Sequence, residues 1–106
     1  MNSVNSEPEL PRTLHFELPG GIEGPAGRAG RGSVVLRAPT AADREIVKRD
    51  PRVRDDPSRL PRALLARLTL RLGELEGEEI TLETIEELPT GVYQRLQEEL
   101  ARLLRE

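Results

Sequence analysis

The fold is decided by the stretch Ser33-Val34-Val35-Leu36-Arg37-Ala38-Pro39-Thr40-Ala41-Ala42-Asp43. Its first six residues are mostly aliphatic and β-branched, which predicts a strand over residues 33–38. Pro39 ends that strand, and Thr40 followed three residues later by Asp43 resembles a helix capping box with Asp in the place of Glu. The stretch therefore predicts a strand that passes directly into a helix.

A second strand is predicted upstream, where apolar and polar residues alternate over Thr13–Leu18. Leu14 and Phe16 share one face of this strand, and His15 lies on the other. The segment between the strands, residues 19–32, is rich in glycine and predicts a mobile loop. Two strands around one such loop most simply pair as an antiparallel hairpin, and helices must cover its apolar face because a lone hairpin is marginal in water.

The helix that Thr40 caps is predicted to run from about Ala41 to Arg49, because a residue before proline disfavours the helical conformation. The following segment, Lys48 to Asp56, packs charged residues around Val53 and reads as an exposed loop.

A longer helix is predicted next, with Ser58 as its N-cap and Gly73 as its C-terminal cap. Its apolar stripe consists of leucines at three- and four-residue spacings: Leu60, Leu64, Leu65, Leu68 and Leu72. Leu70 lies off this stripe, either as an exposed residue or as a second contact.

Two more helices complete the prediction. Thr81 caps a short helix that Pro89 closes, and Thr90 caps the last one. The apolar stripe of the last helix comprises Val92, Leu96, Leu100, Leu103 and Leu104.

The predicted fold class is α+β, an N-terminal antiparallel β-hairpin packed on a C-terminal bundle of three to four short helices. A chain of 106 residues has room for one core, so residues 13–106 are predicted to form one small domain. Within it, residues 13–38 form the hairpin and residues 40–106 the helical part. Residues 1–12 have no periodic apolar pattern and are predicted to be a flexible tail.

Charge and aromatic content argue against a nucleic-acid partner. The chain carries 16 basic and 19 acidic residues, interleaved, with a net charge of −3. Such a balance does not favour a polyanion. Phe16 and Tyr93 are the sole aromatic residues apart from His15, which disfavours base stacking. A nucleic-acid-associated regulatory protein stays as a third hypothesis, which DNA binding with a steep salt dependence would favour.

The residues that usually carry catalysis or bind cofactors are scarce. The chain has no cysteine, and its single histidine, His15, has no serine nucleophile at a recognisable spacing. The glycine-rich stretch 27–33 lacks the Lys-Ser/Thr ending of a phosphate loop, and the glutamates of 74–79 lack the pattern of a calcium loop. We therefore expect a non-enzymatic protein with no catalytic residue, cofactor or metal.

Neither a signal peptide nor a run of 18 apolar residues is present in the sequence. We expect a cytoplasmic protein without a membrane partner, and incorporation into a released particle is left open.

The order of three motifs resembles a known family. The strand and turn at residues 35–43 are followed by Arg49-Asp50-Pro51-Arg52-Val53, and then by Ala63-Leu64-Leu65-Ala66-Arg67-Leu68 with Arg71-Leu72-Gly73. Over residues 14–104 the chain is similar to the small phage tail assembly proteins of contractile tails and extracellular contractile injection systems. It is more distantly similar to Mu-type tail assembly chaperones. The acidic segment 74–79 departs from the family, in which this connection is often shorter.

The resemblance implies an assembly factor or chaperone that covers an aggregation-prone surface of a tail component by protein–protein binding. The alternative is a permanent minor structural subunit of the baseplate or tube end. The implied partners are other tail, tube or baseplate proteins of the same gene cluster, and a homo-oligomer is left open. The candidate partner-binding residues are Arg49, Arg52, Val53, Leu70 and Tyr93.

Overall fold

The computed structural model of the chain describes residues 12–18 and 32–105. The predicted tail at residues 1–12 and the predicted mobile loop at residues 19–32 lie outside this part, except for Arg12 and Gly32.

The predicted hairpin is confirmed. Strand β1 (Thr13–Glu17) pairs antiparallel with strand β2 (Ser33–Arg37), with Leu14 opposite Leu36 and Phe16 opposite Val34. These pairs lie on the face that packs against the core, whereas His15 is exposed on the other face, as the alternation predicts.

Helix α1 (Ala41–Lys48) follows the turn at Thr40, also as predicted. The interpretation of residues 48–56 as an exposed loop is wrong, because Pro51–Asp55 form a second short helix, α2, whose Val53 is buried. Asp50 caps it by accepting a hydrogen bond of 2.9 Å from the Arg52 backbone N–H. Proline is well suited to the first turn of a helix, so Asp50-Pro51 is a start signal as well as a stop signal.

The long helix predicted over residues 58–73 is shorter at both ends. Asp56, and not Ser58, caps a 3₁₀ turn at Pro57–Arg59, after which helix α3 runs over Leu60–Leu68. The chain then continues as strand β3 (Thr69–Leu72), which pairs antiparallel with β2. The Thr69 hydroxyl donates a hydrogen bond of 2.7 Å to the Leu65 carbonyl and so satisfies an acceptor that the helix end leaves free.

Gly73 is a turn residue and not a helix cap. It has a φ of 63° and, with Glu74, joins β3 to the short strand β4 (Leu75–Glu76). The left-handed conformation suits glycine, and it lets the chain reverse within two residues. The segment 74–79 is therefore a strand followed by a 3₁₀ turn at Gly77–Glu79, and not a plain connection between helices.

The fold class is α+β, as predicted. A four-stranded antiparallel sheet in the order β1-β2-β3-β4 replaces the expected simple hairpin, so the part predicted as helical, 40–106, also contains two strands. The remaining helices are α4 (Leu82–Glu86) and α5 (Thr90–Arg105), close to the predicted positions.

The core has two adjoining parts. The larger lies between the sheet and helices α3, α4 and α5, and its buried side chains include Val34, Leu36, Leu65, Leu72, Ile85, Leu96 and Leu103. The smaller lies among α1, α2, α3 and α4 and consists of Val47, Val53, Ala63 and Leu82. Both parts are almost wholly aliphatic.

The core assignment is tested by placing the same carboxylate at two leucines. Leu68 is 0% exposed, and an unpaired buried carboxylate costs several kcal/mol against a total stability of about 5–15 kcal/mol. We expect Leu68→Asp to abolish cooperative thermal unfolding measured by circular dichroism. Leu104 is 55% exposed, so Leu104→Asp should change the free energy of unfolding by less than about 0.5 kcal/mol.

Candidate functional site

A buried carboxylate joins three elements of the fold. Asp43 on α1 is 2% exposed, and Arg37 at the end of β2 donates two hydrogen bonds to it, of 2.7 and 2.8 Å. Arg67 on α3 donates a third, of 2.7 Å, from Nε. We call these three residues the Asp43 cluster.

The predicted capping interaction acts on the same carboxylate. The Thr40 backbone N–H donates to the Asp43 carboxylate at 2.6 Å, and the Thr40 hydroxyl donates to it at 3.1 Å. Hydrogen bonds from Arg37, followed by those from Thr40 and Arg67, hold the pKa of Asp43 far below its usual range in spite of burial. The carboxylate is therefore ionised in the folded protein, and its role is to hold α1 against the sheet and α3.

Next to this cluster lies an open cleft of about 390 Å³. Helices α1 and α3, strand β3, the 3₁₀ turn at Gly77–Glu79 and the start of α4 line it. Its most exposed apolar residues are Ile46, which is 43% exposed, and Leu70, which is 38% exposed. Ala63 and Ala66 line it with short side chains, which leaves room for the side chains of a partner.

A β-bulge places Leu70 in this cleft. Leu36 pairs with Thr69 and the adjacent Val35 pairs with Arg71, so Leu70 is the extra residue on β3. Because of this extra residue, Thr69 and Leu72 are both buried while Leu70 is exposed. The sheet thus keeps its core contacts and presents one leucine outward.

Ion pairs fix one rim of the cleft. Arg52 donates to Asp50 at 2.9 Å and to Glu83 at 2.6 Å, and so joins α2 to α4. Farther from the cleft, Arg59 also joins the 3₁₀ turn at Pro57–Arg59 to α4 by two hydrogen bonds to Glu86, both of 2.8 Å. Hydrogen bonds with Asp50 and Glu83 raise the pKa of Arg52 above its already high value.

The structure brings together some of the predicted partner-binding residues. Arg52 and Leu70 line the same cleft, and Arg49 is exposed directly before Asp50, another lining residue. Val53 is buried in the smaller core and presents no surface to a partner. Tyr93 lies apart on α5, where Arg62 stacks on its ring at 5.3 Å and Gln97 donates to its hydroxyl.

The sequence does not predict the exposure of Ile46 at the cleft or the tertiary role of Asp43. Ile46 and Val47 are neighbours on a helix of eight residues, and Val47 is buried. Neighbouring positions of a short helix point in different directions, so the pair could have indicated that one aliphatic side chain is exposed. The role of Asp43 beyond capping depends on Arg37 and Arg67, and no local pattern indicates that these three residues meet.

A smaller apolar groove of about 240 Å³ lies between α3 and α5 and includes Leu64, Leu100 and Leu104. Within residues 12–18 and 32–105, no group of three or more side chains is placed to hold a metal ion. Across the same residues, no helix combines the length and apolar character needed to cross a membrane.

Comparison with known proteins gives no match to a family model, to a curated protein or to a solved structure.

We predict that Asp43→Asn lowers the free energy of unfolding by about 3 kcal/mol, measured by urea unfolding at pH 7. This value is at the low end of the range for a broken buried ion pair, because Arg37 and Arg67 keep contact with water. Asp55 is exposed and forms no ion pair in the described part of the chain. Asp55→Asn is therefore the matched control, with an expected change below about 0.5 kcal/mol.

A comparison of wild type with Asp43→Asn also tests the pKa of Asp43. Because the folded pKa lies below the unfolded value of about 3.9, the contribution of Asp43 is complete at neutral pH and declines as the pH falls through that value. The difference in unfolding free energy between wild type and Asp43→Asn should be constant from pH 7 to pH 5 and shrink by about 1 kcal/mol at pH 3. Asp50, Glu83 and Glu86 have lowered pKa values too, but they are present in both proteins and cancel. A difference that stays constant down to pH 3 would contradict the ionised buried carboxylate.

Proposed function

We propose that this domain is a non-enzymatic assembly factor or chaperone of a contractile phage-tail-like particle, and that it binds a tail component in the cleft between α1 and β3. The observation that supports binding is the pair Ile46 and Leu70, two exposed aliphatic side chains facing one open cleft. The class of partner follows from the resemblance of residues 14–104 to tail assembly proteins.

The proposed occupant of the cleft is an amphipathic helix of the partner. A helix presents apolar side chains at three- and four-residue spacings, and such side chains fit between Ile46 and Leu70 above Ala63 and Ala66. The small alanines at the base of the cleft favour a long aliphatic side chain as the inserted group.

Two charges that form no ion pair within the described part of the chain indicate the charge pattern of that helix. Most charged residues around the cleft are already paired, as Arg52 is with Asp50 and Glu83. Arg49 at the end of α1 and Glu78 on the 3₁₀ turn are exposed and make no ion pair with other described residues. A partner helix with an acidic residue near Arg49 and a basic residue near Glu78 would complement both.

Reversible binding suits a chaperone better than it suits a permanent subunit. The exposed apolar surface at the cleft is small, which favours modest affinity and a fast dissociation rate. We infer that the domain acts in the cytoplasm while the particle is built and is displaced when the correct neighbour of the tail component arrives. A permanent minor subunit at the baseplate or tube end is the alternative.

We predict that deletion of the gene abolishes or shortens assembled tails in electron micrographs. Wild type and Leu104→Asp should restore them, whereas the double variant Ile46→Asp, Leu70→Asp should not, because the two carboxylates would lie in the cleft. Circular dichroism should show that the double variant is folded, because Ile46 and Leu70 are both exposed in the isolated domain.

Mass spectrometry of purified particles distinguishes the two roles. A chaperone should be absent or far below one copy per tail ring. If the protein is found at a fixed integer ratio to a baseplate protein, it is a structural subunit and not a chaperone. Normal particles made without the gene would refute both roles.

A further inference from the structure

Among the described residues, strand β1 is an edge of the sheet whose outward backbone groups have no partner. The sheet order is β1-β2-β3-β4, and among the described residues no strand lies beyond β1. The Leu18 N–H donates to the Gly32 carbonyl at 2.8 Å, and the Ala38 N–H donates to the Arg12 carbonyl at 2.7 Å. Backbone groups alternate in direction along a strand, so those of Leu14 and Phe16 also point to β2. Those of Thr13, His15 and Glu17 point to the free edge.

The two edges of the sheet differ in their protection. At one edge, β4 has two residues, Leu75 and Glu76, and passes at once into a 3₁₀ turn that carries Glu78 and Glu79. Short strands and charges are common means of preventing pairing at an edge. At the other edge, β1 has five residues without proline, lysine or bulge. This edge has the features of a strand that pairs.

We propose that two copies of the chain pair through β1, antiparallel and around a two-fold axis at His15, to form one continuous eight-stranded sheet. Three residues carry outward backbone groups, and His15 is the central one. A two-fold axis there places Thr13 opposite the partner's Glu17 and each His15 opposite the other. Every outward N–H and C=O of the strand then has a partner, whereas an axis at Thr13 or Glu17 leaves some of them unpaired.

The side chains of β1 are self-complementary in this register. On the core face, Leu14 lies opposite the partner's Phe16, and Phe16 lies opposite the partner's Leu14. Both residues are only partly buried in one copy, so pairing covers apolar surface that the domain alone leaves open. On the outer face, Glu17 lies opposite the hydroxyl of the partner's Thr13, and no two carboxylates face each other. A second copy therefore suits this edge in both backbone and side chains.

The test compares three proteins by sedimentation equilibrium over a range of micromolar concentrations. The N–H of His15 points away from β2, so His15→Pro removes no hydrogen bond of the domain, and proline is tolerated at such edge positions. We expect wild type and His15→Ala to be dimers and His15→Pro to be a monomer with an unchanged circular dichroism spectrum. A monomeric wild type would overturn the proposal. The edge would then serve residues 1–11 of the same chain or a segment of another protein.

Cysteine cross-linking tests the register even if His15→Pro does not fold. The chain has no cysteine, and Cα atoms in a hydrogen-bonded antiparallel pair are about 5.5 Å apart, which is within disulfide range. His15→Cys should form a covalent dimer under mild oxidation. Val35→Cys is the matched control, because Val35 neighbours His15 on β2 and the two copies of β2 would lie about 14 Å apart. Equal cross-linking of both variants, or of neither, would contradict pairing through β1.

Discussion

The ion cluster at Asp43 is the constraint on which the rest of the structure depends. A carboxylate that is 2% exposed needs compensation for lost hydration, and two guanidinium groups with two donors from Thr40 provide it. The donors come from β2, from the turn before α1 and from α3. The first helix is thereby held against the sheet and the third helix, although its own apolar contribution to the core is little more than Val47. Without this cluster, one wall of the cleft would be held mainly by a single valine.

Local signals predicted part of this arrangement. Alternation predicted the first strand of the hairpin, a run of aliphatic and β-branched residues predicted the second, and the Thr40–Asp43 spacing predicted the start of α1, because each is a property of adjacent residues. The meeting of Arg37 with Arg67 at one carboxylate is a tertiary event between residues far apart in sequence, and no short pattern encodes it. The predicted helix over 58–73 failed for a related reason. The stretch from Leu68 to Leu72 has the spacing of a helical stripe, but the open edge of β2 offers it hydrogen bonds as a strand, and tertiary pairing overrides the local preference.

At the candidate site, too, some features follow from local sequence and others depend on tertiary contacts. Leu70 stood out in the sequence because it fits no helical stripe, and its exposure is explained by a bulge that only the pairing of β3 with β2 defines. Arg52, a candidate partner-binding residue, lies beside the cleft, and its ion pairs with Asp50 and Glu83 give it a structural role. Val53 belongs to the same motif and is buried, which shows that adjacent residues of one motif serve the core and the surface in turn.

The two proposed surfaces are compatible with each other because they lie at different places on the sheet. The cleft is lined by β3 and the helices around it, and no residue of β1 takes part. Strand β2 separates β1 from β3, so pairing of two copies along β1 leaves both clefts open. A dimer would then carry two equivalent clefts related by the two-fold axis. For a partner that presents repeated copies of one surface, a bivalent domain would gain affinity without any new contact within each cleft. Weak binding in a single cleft, which allows displacement, and firm holding of a multimeric surface would thus be achieved by the same small domain.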